Sequence, residues 1–131
     1  MKVLLLCASC LLALGACRGD TPASVFGGSD QIWTLKTLNG QVFPATATLT
    51  IPKTGEINGR APCNRYFGAL TGTYPAFNAG PIGSTKMACP NMRAENAYLD
   101  ALGSATTATV SNNTLTLTNG SGLEMVFTND G

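Results

Sequence analysis

Gly59-Arg60-Ala61-Pro62-Cys63-Asn64-Arg65-Tyr66-Phe67-Gly68 and Ser84-Thr85-Lys86-Met87-Ala88-Cys89 bracket the stretch around which this chain is organised. Cys63 and Cys89 read as a disulfide, because they are the only thiols left once the first 17 residues are accounted for. The alternative is a pair of buried free thiols. Export into an oxidising compartment favours the bond, since free thiols there invite wrong pairing. In the entropic account a loop of this length, once closed, stabilises by roughly 3–4 kcal/mol, against about 5–15 kcal/mol for a whole small domain. The bond predicts Cα atoms about 4.4–6.8 Å apart. It would pin Thr85–Ala88 beside Cys63–Arg65 and fix where the helix that follows begins.

The accounting for the other three cysteines comes from the N-terminus. Lys2 is a short positive region, Val3–Ala13 is apolar, and Leu14-Gly15-Ala16-Cys17 follows. Val3–Ala16 is only 14 residues, whereas a membrane span needs about 20. Cleavage after Ala16 by an ordinary secretory route places the large Leu14 where a small residue is wanted. The tetrapeptide resembles a bacterial lipobox, in which Cys17 is lipidated and becomes the first mature residue. Cys7 and Cys10 then leave with residues 1–16. Arg18 after the cysteine is not the aspartate that resembles an inner-membrane retention signal. The expected location is therefore the bacterial cell envelope, lipid-anchored in the outer membrane and facing the periplasm.

Composition bounds the rest. The chain has 131 residues, 11% of them charged, and no histidine. One domain is the expectation at this length. Removal of residues 1–16 takes Lys2 from eight bases and nothing from seven acids, so the mature side-chain charge is zero. A neutral body lacks the basic field that nucleic acid binding uses. Without imidazole, Ser-His-Asp and Cys-His nucleophiles cannot be built, and two cysteines alone make no usual zinc site. Glu56 and Glu95 are the conceivable carboxylate pair for glycoside chemistry; the simpler reading is one surface strand charge and one helix N-terminal charge. The expectation is no enzyme, no cofactor and no metal.

Arg18–Asp30 reads as a flexible tether, with Gly, Ser, Thr and Pro and only Val25 and Phe26 as large apolar residues. Residues 17–30 are thus assigned to a tether and 31–128 to the domain. Ile32–Leu38, Ala47–Ile51 and Glu56–Arg60 alternate as strands, with Asn39-Gly40 as a hairpin-type turn. Phe67–Tyr74 is strand-like but interrupted by Gly68 and Gly72, and Ile82–Lys86 is a short strand. Pro90–Leu102 is the one helix, with Gly103 placed to end it. Thr107–Val110, a strand through Leu115 and Leu117, and one through Leu123, Met125 and Phe127 complete the chain. The fold class is α+β, mostly β: a small antiparallel β-barrel-like meander with one packed helix.

Trp33-x-Leu35-x-x-Leu38-Asn39-Gly40, Gly59, Cys63-Asn64-Arg65-Tyr66-x-Gly68 and Thr85-Lys86-Met87-Ala88-Cys89, followed by Glu95 through Leu102, resemble the META domain family. Its best-known bacterial type is the HslJ-like heat-shock lipoprotein. Pro62 stands where a glycine is common, and Lys86 where an arginine is usual, which keeps the charge but loses the planar fork. The resemblance implies a small barrel with a packed helix and links to heat shock and antibiotic tolerance, and the family has no established family-wide catalytic activity. It also implies a likeness to lipoproteins that bind partner peptides.

Asn64, Arg65, Tyr66 and Lys86 form the candidate binding loop. The other reading is structural, with Asn64 holding the loop and Arg65 pairing with Glu95. Trp33 reads as core. Three roles follow: an envelope-stress lipoprotein that binds a peptide or protein partner, a lipoprotein inhibitor of an enzyme such as lysozyme or a protease, and a purely structural envelope protein. A monomer is expected. An apolar groove between strands and helix would favour the first role, and a protruding Cys63–Tyr66 loop the second.

Overall fold

Alternating apolar residues build the larger sheet. In the computed structural model, which describes residues 20–129, strand β1 (Trp33–Leu38) turns Trp33 and Leu35 inward. Asn39 and Gly40 both have positive φ, 51° and 80°. They make the two-residue turn whose twist matches a hairpin, and β2 (Gln41–Val42) pairs back on β1. β3 (Thr48–Leu49) also lies on β1. At the other end of the chain come β8 (Thr107–Ser111), β9 (Thr114–Thr118) and β10 (Glu124–Thr128). The sheet order is β2-β1-β10-β9-β8, all antiparallel. Leu115 opposes Phe127 and Leu117 opposes Met125, and all four are buried.

The middle of the chain makes the second sheet: β4 (Glu56–Arg60), β5 (Arg65–Thr71) and β6 (Asn78–Ala79), with β7 (Gly83–Ser84) also on β5. The sheets are not one closed ladder. Isolated bridges join their edges on both sides, Thr50 with Asn58 and Ala76 with Thr107. The result is the barrel-like, mostly β arrangement expected. The core runs through it from Phe26 and Trp33 to Leu117 and Phe127.

Helix α1 (Met92–Ser104) drops one face into this core. Glu95, Tyr98, Ala101 and Leu102 are buried, at the three- and four-residue spacings of one helical face. Tyr98 reaches furthest in, with its ring 5.6 Å from Tyr66, 6.2 Å from Phe43 and 6.4 Å from Phe127.

Three expectations are corrected. Gly103 does not end the helix: it lies inside α1, Ser104 Oγ donates back to the Asp100 carbonyl at 2.8 Å, and the chain becomes extended at Ala105. The strand expected at Phe67–Tyr74 begins at Arg65 and ends where Gly72 takes φ 101°. The tether is not free over its described part. Ala23–Phe26 forms a 3-10 turn, Phe26 is 1% exposed, and the Trp33 indole N–H donates to the Phe26 carbonyl at 3.0 Å. Thr21 bonds Gly72 O through both its backbone N–H and its hydroxyl, and accepts the Tyr74 N–H. Phe26 then meets Tyr74 and Phe77 edge-on. The polar composition concealed this because a single buried aromatic anchors the segment. Residues 1–16, Cys17 and Arg18 lie outside the described residues.

Candidate functional site

Cys63 and Cys89 are joined, with Cα atoms 5.8 Å apart. The bond sits within a set of side-chain hydrogen bonds that hold the same two segments. Glu95 is 2% exposed. Its Oε1 accepts the backbone N–H of Cys63 at 2.9 Å and of Asn64 at 2.7 Å, and its Oε2 accepts Asn64 Nδ2 at 2.7 Å. Asn64 Nδ2 also donates to Met87 O at 2.9 Å, while Asn64 Oδ1 accepts the Thr85 hydroxyl at 2.9 Å and the Met87 N–H at 2.7 Å. Both donors and both acceptor positions of the amide are therefore used. The Cys89 carbonyl and Sγ receive the N–H groups of Met92 and Asn91, each at 3.3 Å. The start of α1 is thus tied to the disulfide, as the sequence suggested.

Arg65 does not pair with Glu95. The carboxylate faces inward onto backbone amides and Asn64, and Arg65 points out. Sequence reasoning placed Glu95 as a helix N-terminal charge. The missed signal was its position three residues before Tyr98 and seven before Leu102, on the face that is buried.

A second buried network lies beneath it. Tyr66 Oη donates to the Thr48 carbonyl at 2.6 Å, and the Tyr66 and Tyr98 hydroxyls are 2.7 Å apart. Tyr98 Oη also reaches Thr48 O at 3.2 Å. Burial pushes both phenols well above the ordinary tyrosine range, and the neighbouring Tyr98 pushes Tyr66 further. Gly59 makes the approach feasible: a Cβ there would collide with the Thr48 carbonyl and lie 2.7 Å from Tyr66 Oη.

The four candidate loop residues therefore separate. Asn64 and Tyr66 are core residues, because β5 starts at Arg65 and alternation turns its neighbours inward. Arg65 and Lys86 remain on the surface. Within Cys63–Tyr66 only Arg65 is exposed. Among the described residues no group of three or more Cys, Asp or Glu gathers to hold a metal, and no helix is long and apolar enough to cross a membrane.

The surface does contain an apolar groove between the β1–β2 hairpin and the start of α1, about 340 Å³ in volume. Leu38, Val42, Phe43 and Pro44 line it from the hairpin side and Pro90, Ala94 and Ala97 from the helix side, with the exposed Arg93 also in the lining. Val42 is 82% exposed. β2 is the outer strand of its sheet. In a two-residue hairpin the pair next to the closing pair turns its N–H and C=O groups outward, and Val42 occupies that position opposite Thr37.

The model of the META domain family matches residues 28–131. A protein from Burkholderia xenovorans, solved by NMR, is 27% identical, with a TM-score of 0.64 over 81% of this chain and 86% of its own. A second NMR structure, 18% identical, superimposes with a TM-score of 0.63 over 79% of this chain and 92% of that one. A DUF4847 family protein from Bacteroides vulgatus, 20% identical, gives a TM-score of 0.51 over 64% of this chain and 59% of its own. The last two show likeness of fold alone. No curated protein matches the chain.

Proposed function

The chain belongs to the META domain family, and from that premise we propose that it is an envelope lipoprotein that captures an extended peptide or protein segment without catalysis. The observation that carries this reading is the groove between the β1–β2 hairpin and α1. It joins apolar walls, Leu38, Val42 and Phe43 against Ala94 and Ala97, to a strand edge with unpaired backbone groups at Val42. An added strand would gain main-chain hydrogen bonds at that edge and bury side chains in the groove. Lipid on Cys17 would hold the domain at the outer membrane, facing the periplasm. The family resemblance supports a role in envelope stress and antibiotic tolerance. The inhibitor reading lacks its motivating feature, since Asn64 and Tyr66 are buried rather than presented.

The test places a photo-crosslinking residue in the full chain at Val42, at Ala97 or at the exposed Thr109 of β8, within the native envelope. The proposal expects one discrete adduct from Val42 and from Ala97, none from Thr109, and loss of the Val42 adduct when Ala97→Arg fills the groove. The same adduct from all three positions, or none, would reject it. For the anchor, Cys17→Ser should move the protein from the detergent phase to the soluble fraction or leave it unprocessed. Unchanged partitioning, with no lipid mass on the wild type, would contradict that part.

A further inference from the structure

Arg60 and Arg65 are direct partners across β4 and β5. Like charges placed opposite one another destabilise a sheet, yet both guanidinium groups are exposed and neither has an acid partner among the described residues. The surrounding sequence sharpens the contrast. Between Ile57 and Ala94 the chain carries Arg60, Arg65, Lys86 and Arg93 and no acid at all. The acid that follows, Glu95, is turned inward and consumed by the Cys63 and Asn64 amides.

The two arginines line a cleft of about 420 Å³ on the seam between β3 and β4, together with Thr48, Thr50, Asn58 and Phe67. The cleft has a fixed frame. The Arg60 N–H donates to Thr48 Oγ1 at 3.1 Å, the Thr50 hydroxyl bonds Asn58, and the Arg65 N–H donates to Thr85 Oγ1 at 3.2 Å. The last contact also brings the segment carrying Lys86 alongside. Phe67, on the same outward face of β5, is 60% exposed. None of these residues lines the groove of the proposed function.

We propose that Arg60 and Arg65 form a site for a phosphate-bearing ligand. One guanidinium fork satisfies one carboxylate; two forks from paired positions of neighbouring strands suit an anion with three or more acceptor oxygens and more than one charge. Such an anion removes the repulsion that the empty pair carries. Phe67 offers apolar surface to the remainder of the ligand. The phosphate could belong to a lipid headgroup or to a soluble phosphoester, and the chemistry of recognition is the same.

The experiment uses the chain carrying Cys17→Ser, so that no lipid anchor binds vesicles by itself. It follows backbone amides by NMR during titration with pyrophosphate at constant ionic strength, and measures sedimentation with phosphatidylcholine vesicles containing or lacking phosphatidic acid. Saturable shifts centred on Thr48, Asn58, Arg60 and Arg65 are expected for a soluble source; selective binding to phosphatidic acid vesicles is expected for a lipid source. Either supports the site. R60Q and R65Q should each weaken binding by about tenfold or more, from the loss of charge-assisted hydrogen bonds, with R65K falling between. K53Q, which removes a lysine already paired with Glu56 at 3.3 Å, should bind like the wild type. Thermal melts of each variant confirm folding. Absence of both kinds of binding, or equal loss in K53Q, would overturn the proposal.

Discussion

The larger sheet and the junction around Cys63 are held together in different ways. In the sheet of β1, β8, β9 and β10, backbone ladders and alternating apolar side chains carry the structure, with Leu115 on Phe127 and Leu117 on Met125. At the junction, one disulfide and six side-chain hydrogen bonds from Asn64 and Glu95 fasten the residues before β5, the residues after β7 and the start of α1, where the short β5–β7 pairing has run out. The first region specifies a pattern and tolerates any residue that fits it. The second specifies individual atoms. Side chains of the sheet are exchangeable in kind, while those of the junction are not.

Glu95→Ala should have the largest effect on stability. It strands the Cys63 and Asn64 amides and one Asn64 N–H inside the protein, and buried unpaired donors cost about 1–3 kcal/mol each. We expect a loss of about 3–5 kcal/mol in urea denaturation, with Glu95→Gln losing roughly half; a loss below about 1 kcal/mol would place the carboxylate's role elsewhere. Cys63→Ala comes next, at about 2–5 kcal/mol. Cys89→Ala should match it, and the double variant should be no worse than either, as read by thermal melts.

How much of this was legible in the sequence follows the same division. Period-two alternation exposed β1, β9 and β10 and their inward residues, and thiol bookkeeping exposed the disulfide. Asn39-Gly40 marked its turn. The strand that follows it immediately, β2, was not legible, because two exposed residues carry no alternation to read. Nor was the docking of Ala23–Phe26, which depends on a distant partner, Trp33. Glu95 was read by its distance from the helix start, although its phase relative to Tyr98 and Leu102 was the better guide. In the sequence Asn64 and Tyr66 group with Arg65 as one loop, because adjacency conceals the alternation of a strand that starts two residues after Cys63.

Alkaline pH probes the tyrosine network under the junction. Burial raises Tyr66 and Tyr98 in the folded state above the roughly 10 of an unfolded chain. Both phenols then keep their protons in the fold while the unfolded chain loses them. The stabilisation is complete below about pH 10 and falls as pH rises further, by up to about 1.4 kcal/mol per pH unit for each group. Melting temperatures from pH 8 to 11.5 should decline above pH 10, and less steeply in Tyr66→Phe. An identical slope in that variant would remove the tyrosine from the account. The smallest effect belongs to the sheet: Leu117→Ile should cost less than about 1.5 kcal/mol, and a cost equal to that of Glu95→Ala would erase the contrast between the two regions.

The most direct test of that contrast is a double-mutant cycle between Asn64→Ala and Glu95→Ala, with stability measured by denaturation of the wild type, both single variants and the double. If the pair acts as one clamp on the disulfide junction, the double variant should be more stable than the sum of the single losses predicts, by about 1–3 kcal/mol. Losses that add to within about 0.5 kcal/mol would mean that Asn64 and Glu95 act independently, and the junction would have to be explained by the disulfide alone.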